Sequence, residues 1–408
     1  MDYIIKCLCL IAATFVGGQV CAQKKLYIPD DLRGMDLQAD TSKWSLKRSI
    51  ETDDLIFMWE RGFGDDVSNP PQLEGHNMAF NLPNLCDRVQ SFYHFFRDTL
   101  GFVNPQHQSK ADRYKMMVMV NYSLEGTAYG GTYDNFIGAL WVAPNRIQDA
   151  KMNCMAHELG HSFQSQIMAD SIGDCWGGSV FFEMASQWML WQVNPDWLTD
   201  ENYHFEAFKK LTHKAYLHME NIYHSPYVLQ WWSDLHGRKF IAELFRQGRV
   251  GEDPVVTYKR VNNLTQSAFC DEMLRGYQHI VNFDFLHARN ETRPYACTFD
   301  TELESAAPGW LRPKELPEDY GFNAIKLDGR VNLSSKKFSL LIRGDHLRYG
   351  FVGVTTDDES CYSLVNATTF TVPEGKELKH LYLVVMGAPE KHAPTHRQFP
   401  YEFQIHDE

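Results

Sequence analysis

Apolar positions along this chain mix helical spacing with strand-like runs in its first 295 residues and fall into short strand-like runs alone beyond. Leu85, Val89, Phe92, Phe96 and Leu100 recur at helical spacing, and Gly101 can end that run. A strand-like stretch lies earlier, around Ile56, Met58 and Trp59. Residues 114–121 (YKMMVMVN) and 136–142 (FIGALWV) read as strands, with a Gly/Tyr-rich loop at 126–133 between them. Asn145 can cap a helix that runs to about Ala169. Gly177-Gly178 breaks the chain, Ser179 can cap a second, very apolar helix through Trp191, and Asn194-Pro195 ends it. Helical spacing returns at 203–219, 225–236, 238–246 and 265–280. After about residue 295 the period changes. Pro308, Pro313 and Pro317 mark a segment with no period at all. Short strand-like runs follow at 338–342, 347–354, 381–386 and 401–405, separated by turns such as Asp328-Gly329, Glu374-Gly375 and Gly387-Ala388-Pro389. The pattern predicts an α+β chain: a larger mixed unit rich in helices, a linker over 296–320, and a small β-sandwich over 321–408.

The first 22 residues read differently. Lys6 precedes a mostly apolar run from Cys7 to Gly18, and Val20-Cys21-Ala22 offers a cleavage site. This is a signal peptide expected to be cut after Ala22, which places the mature chain outside the cell or in the periplasm. Lipidation of Cys21 is the alternative. A polar lead-in follows at 23–40. No later stretch is apolar enough to span a membrane. With the leader gone, Cys86, Cys154, Cys175, Cys270, Cys297 and Cys361 remain. Their wide spacing argues against a cysteine-bound metal, and they serve either as disulfides or as reduced core residues. Acidic residues outnumber basic ones 52 to 39, for a formal charge of −13. No basic run stands out, so nucleic acid and anionic membranes are disfavoured as partners.

The chemistry concentrates at His157-Glu158-Leu159-Gly160-His161. On a helix, residues four apart share a face, so His157 and His161 can address one ion. Glu158 is turned by about 100° on the helical wheel, close to the ion without ligating it, where a general base belongs. Met155, Leu159 and Phe163 repeat every fourth position, which sets the motif within a helix. Gly160 costs about 1 kcal/mol there relative to alanine, so something is expected to pack close against it. Zinc needs a third protein ligand. Glu183 is the foremost candidate, because an ionised carboxylate among Phe181, Phe182, Met184 and Trp188 needs a partner. Asp170 and Asp174 are alternatives. The tryptophans at 176, 188, 191, 197, 231 and 232 are expected to be core, with a cleft wall as the other use.

A HELGH helix followed by a second helix carrying Glu183 resembles the gluzincin group of zinc metallopeptidases. The resemblance implies a zincin-like catalytic domain over 41–295, with a mixed sheet and active-site helices. His157, His161 and Glu183 would hold Zn2+. FIGALWV is similar to the edge strand along which that group lays its substrate. Tyr223 resembles the tyrosine that steadies the oxyanion, with His224 or Tyr227 as alternatives. Many members carry an Asp three or four residues after the ligand Glu; Ser186 and Gln187 stand here instead, so Asp170 or Asp174 is the expected substitute. Residues after 295, including YLVVMGAP and FPYEFQI, resemble those of secreted bacterial proteins of unassigned function. The implied function is a secreted peptidase acting on proteins, peptides or glycoproteins. An inactive zincin-fold protein that binds glycan or protein, and a zinc amidase for cell-wall material, are the other readings.

Overall fold

The computed structural model describes residues 23–103, 106, 109–172 and 176–408. The expected leader, Asp174 and Cys175 lie outside them. Among the described residues the chain is a mixed α+β structure with three sheets. In the first, β1 (Ser49–Glu51), β2 (Leu55–Trp59), β3 (Met116–Val120), β4 (Ala128–Tyr133) and β5 (Ile137–Val142) lie in the order β1-β2-β3-β5-β4. β2, β3 and β5 run parallel, and β1 and β4 flank them antiparallel. Every residue of β2 and β3 is buried, which is why both strands read as unbroken apolar runs.

Two expectations about this sheet are corrected. Residues 126–133 are not a loop, because 128–133 form β4. That strand, and not FIGALWV, is the edge; β5 is an inner strand paired on both sides. Glycines concealed β4, since Gly130 and Gly131 carry no side chain to show the alternation of a strand.

Helices follow a short turn, α1 (Asp30–Arg33), and α2 (Leu82–His94), whose line continues as a wider turn over Phe95–Thr99. α3 (Asn153–Ile167) carries the HELGH residues. It begins later than Asn145 predicts, because 144–146 form a separate tight turn and Met152 adopts a left-handed backbone, φ 57°, that no helix can cross. α4 (Phe181–Val193) starts beside Ser179, whose hydroxyl accepts from the Phe181 N–H at 3.2 Å. Next come α5 (Trp197–Asp200), α6 (Asn202–Leu211), α7 (Tyr227–His236), α8 (Phe240–Gln247), α9 (Pro254–Val261) and α10 (Gln266–Val281). The six tryptophans named above are all buried in this region. Among the described residues no helix is long and apolar enough to cross a membrane. Cys86, Cys154, Cys270, Cys297 and Cys361 are free thiols.

The remaining strands make two facing sheets. β6 (Leu303–Ala307), β7 (Trp310–Pro313), β8 (Phe322–Lys326), β9 (Lys337–Arg343), β10 (Leu347–Thr355), β11 (Ser360–Tyr362), β12 (Thr369–Thr371), β13 (Leu378–Gly387) and β14 (Glu402–Asp407) are ordered β11-β10-β13-β8 and β12-β9-β14-β7-β6. The segment expected to be a linker therefore contains the β6–β7 hairpin, which pairs with β14. Its prolines sit at the hairpin's turn and ends, where no ladder N–H is needed. Along β13, Leu381, Leu383 and Val385 face the space between the sheets, with Phe351, Phe370 and Phe403. The alternate residues Tyr382, Val384 and Met386 join the core of the helical part, and α10 packs against β10 and β13. Residues 212–216 and 318–322 are also joined through their backbones: the Glu318 N–H donates to the His213 carbonyl and the Phe322 N–H to the Thr212 carbonyl, both at 2.7 Å.

Candidate metal centre

α3 lies between the edge strand and α4. Ser162 Oγ donates to the Ala139 carbonyl at 2.8 Å, and Gln166 Oε1 accepts from the Gly138 N–H at 2.8 Å, so the helix is fastened to β5. On its other side a Cβ at Gly160 would stand 2.8 Å from Ser186 Oγ of α4. The glycine inside HELGH thus lets α4 approach closely enough to present Glu183.

The approach brings three atoms together. His157 Nε2 and His161 Nε2 are 3.1 Å apart, and each lies 3.0 Å from Glu183 Oε2. The opposite ring nitrogens determine what those atoms offer. Gln164 Nε2 donates to the Phe182 carbonyl at 3.0 Å, which turns Gln164 Oε1 toward His161 Nδ1 at 3.1 Å. Gln187 Nε2 donates to the Tyr223 carbonyl at 3.0 Å, which turns Gln187 Oε1 toward His157 Nδ1 at 3.0 Å. Both imidazoles therefore carry their proton on Nδ1 and present the Nε2 lone pair. Two lone pairs and a carboxylate oxygen meeting at this spacing repel unless a proton or a cation lies among them. Ligands in a tetrahedral shell about 2.0–2.1 Å from zinc stand roughly 3.3 Å apart, so the donor set suits that ion. Burial disfavours the charged forms of both His161 and Glu183, yet each outweighs this for the other: Glu183 raises the His161 pKa, and the two histidines hold Glu183 well below the usual carboxylate range.

Glu158 is nearly buried beside the trio, where its charge acts on His161 and Tyr223. Tyr223 is 42% exposed, and its ring lies 6.1 Å from that of His157. Burial, then the charges of Glu183 and Glu158, raise its pKa, so the phenol keeps its proton. His224 is turned elsewhere: its Nδ1 meets His204 Nδ1 at 2.8 Å, and burial followed by the His204 charge lowers its pKa. Tyr227 is fully buried in the core. Of the three sequence candidates, only Tyr223 is brought to the trio.

Asp170 serves neither as a ligand nor behind one, because it binds Ser109, the Lys110 N–H and Gln166. The groups behind the histidines are amides, Gln164 and Gln187. Sequence reading missed both; the signal available was that each sits on the same helix face as a candidate ligand, Gln164 three residues after His161 and Gln187 four after Glu183. Among the described residues a second gathering, His218, Glu318 and His396, also places ligand-type atoms within 4.8 Å of one another. His218 Nδ1 already accepts from the Glu220 N–H at 3.0 Å.

The chain belongs to a family of unknown function, DUF6055, whose model matches residues 18–407. No curated protein sequence matches it. Two solved structures similar to it are the ZmpB metallopeptidase from Clostridium perfringens, and the M60 catalytic domain of ZmpC from the same organism in complex with the sialyl T antigen. The first is 13% identical with a TM-score of 0.33, the second 12% identical with a TM-score of 0.33, and each match covers 84% of this chain and 67% of the other.

Proposed function

We propose that this chain is an exported zinc-dependent metallohydrolase of gluzincin type that cleaves amide bonds in proteins or glycoproteins. The observation that carries the reading is the convergence of His157 Nε2, His161 Nε2 and Glu183 Oε2, with both ring protons held on the far nitrogens. Zinc bound there supplies a Lewis acid that polarises a carbonyl and lowers the pKa of a water to roughly 7. Glu158 takes the proton of the attacking water and passes it to the departing amine nitrogen. The Tyr223 hydroxyl donates to the oxygen on which negative charge develops. In this reading residues 41–295 are the zincin-like catalytic domain, the β-sandwich after it is an accessory domain, and residues 1–22 are the export signal.

Zinc per chain after dialysis, measured by atomic absorption, should be at least one for the wild type. Glu183→Ala removes one of three donors and should lose the ion. Turnover is measured on denatured protein, a mucin-type glycoprotein and peptidoglycan. Zinc with no hydrolysis of any of them would replace the peptidase with a binding protein, and hydrolysis of peptidoglycan alone would make it a cell-wall amidase. Tyr223→Phe deletes only the donor; kcat should fall about 10²–10³-fold with zinc retained.

A further inference from the structure

Gln187 is 3% exposed and lies one helical turn beyond Glu183, on the same face of α4. Its amide makes three contacts: Oε1 to His157 Nδ1 at 3.0 Å, Nε2 to the Tyr223 carbonyl at 3.0 Å, and Nε2 to His204 Nε2 at 3.3 Å. The His157 Nδ1–H donates to Gln187 Oε1 and Gln187 Nε2 donates to the Tyr223 carbonyl, while His204, whose Nε2 also stands 3.5 Å from Glu201 Oε2, meets His224 Nδ1 through its own Nδ1 at 2.8 Å. Tyr223 comes from a different part of the chain, the turn between the 219–221 helical turn and α7.

We infer that Gln187 is a positioning residue that couples the metal ligand His157 to the oxyanion donor Tyr223. An amide can do this because it accepts on one atom and donates on the other. A carboxylate in its place would hold the imidazole more strongly, but would turn a second negative oxygen toward the Tyr223 carbonyl and push that turn away. Ordinary core packing needs only the volume of Gln187; this coupling needs both ends of its polarity. The inference rests on the proposed metallohydrolase reading, in its ligand set and in the part given to Tyr223.

Two variants separate the ends. Gln187→Ala frees both partners, and Gln187→Glu keeps the size and the acceptor but removes the donor. Zinc affinity of the metal-free protein is measured by competition with a chromogenic chelator. Gln187→Ala should bind zinc about 10–100-fold more weakly, and Gln187→Glu at least as tightly as the wild type. kcat is then measured on the protein substrate that the wild type hydrolyses, for Gln187→Glu, Tyr223→Phe and the double variant. Gln187→Glu should lower kcat by at least tenfold, and adding it to Tyr223→Phe should change little further. A crystal structure of zinc-loaded Gln187→Glu should show the Tyr223 turn displaced from α4. Wild-type zinc affinity in Gln187→Ala would overturn the hold on His157. Fully additive losses with an undisplaced Tyr223 would overturn the coupling. If the wild type binds zinc but hydrolyses nothing, the peptidase reading fails, while the affinity and crystal arms still decide the part played by Gln187.

Discussion

Replacing Glu158 by glutamine should reduce hydrolysis by about 10²–10⁴-fold, the contribution expected of a positioned general base, while zinc content stays at the wild-type level. The two effects separate because Glu158 supplies no atom to the trio. Its carboxylate is buried, and its charge acts on His161 and Tyr223. Glutamine has the same length and shape but no basic oxygen. It cannot take a proton from water, yet it leaves the packing of α3 undisturbed. The variant is compared with the wild type for zinc per chain and for hydrolysis rate in the same preparation. Full activity would assign the proton transfer to another group; loss of zinc would mean that Glu158 contributes to the ligand shell.

A second large effect is expected where no residue of the proposed site is itself replaced. A Cβ at Gly130 would lie 1.9 Å from the Glu158 carbonyl oxygen and 2.9 Å from His161 Cβ. The edge strand therefore meets the backbone of the HELGH helix directly, at the turn bearing the proposed base and a proposed ligand. Gly130→Ala must drive the two apart by more than 1 Å. Overpacking of this kind costs about 1–3 kcal/mol, and a shift of about 1 Å at a reacting centre costs on the order of 10²-fold in rate. Both should appear, as a lower thermal midpoint and as weaker zinc binding with slower turnover. Gly131→Ala is the control: its Cβ would meet the Tyr129 side chain at 3.0 Å, and a side chain can move aside. Equal effects from the two substitutions would place the constraint in the strand itself, not in its meeting with α3.

The same glycine shows where sequence reading succeeds and where it stops. HELGH, its helical setting, and Glu183 on a following helix were legible, because a four-residue spacing and a carboxylate among large apolar residues carry their own physical meaning. The edge strand was not: Gly130 is chosen for what lies against it, and that partner, the Glu158 carbonyl, is distant in sequence. Gln164 and Gln187 were hidden for a similar reason, since an amide becomes informative only when both of its ends have been assigned partners. α9 could have been found, because Asp253-Pro254 is a capped helix start, and Asp253 does accept from the Val256 N–H at 2.8 Å. The β6–β7 hairpin was obscured by prolines that lie at strand ends.

The four-stranded sheet has a practical consequence. Leu381, Leu383 and Val385 are covered by the opposite sheet, and Tyr382, Val384 and Met386 by the helical part, so the sheet has no side made for water. Cutting the gene near residue 320 to express the HELGH half alone would strip α10 of its cover, and the other fragment would carry a bare greasy wall. Each piece would be prone to clump with its own kind. Experiments on either half are better done by point substitution in the intact chain than by truncation.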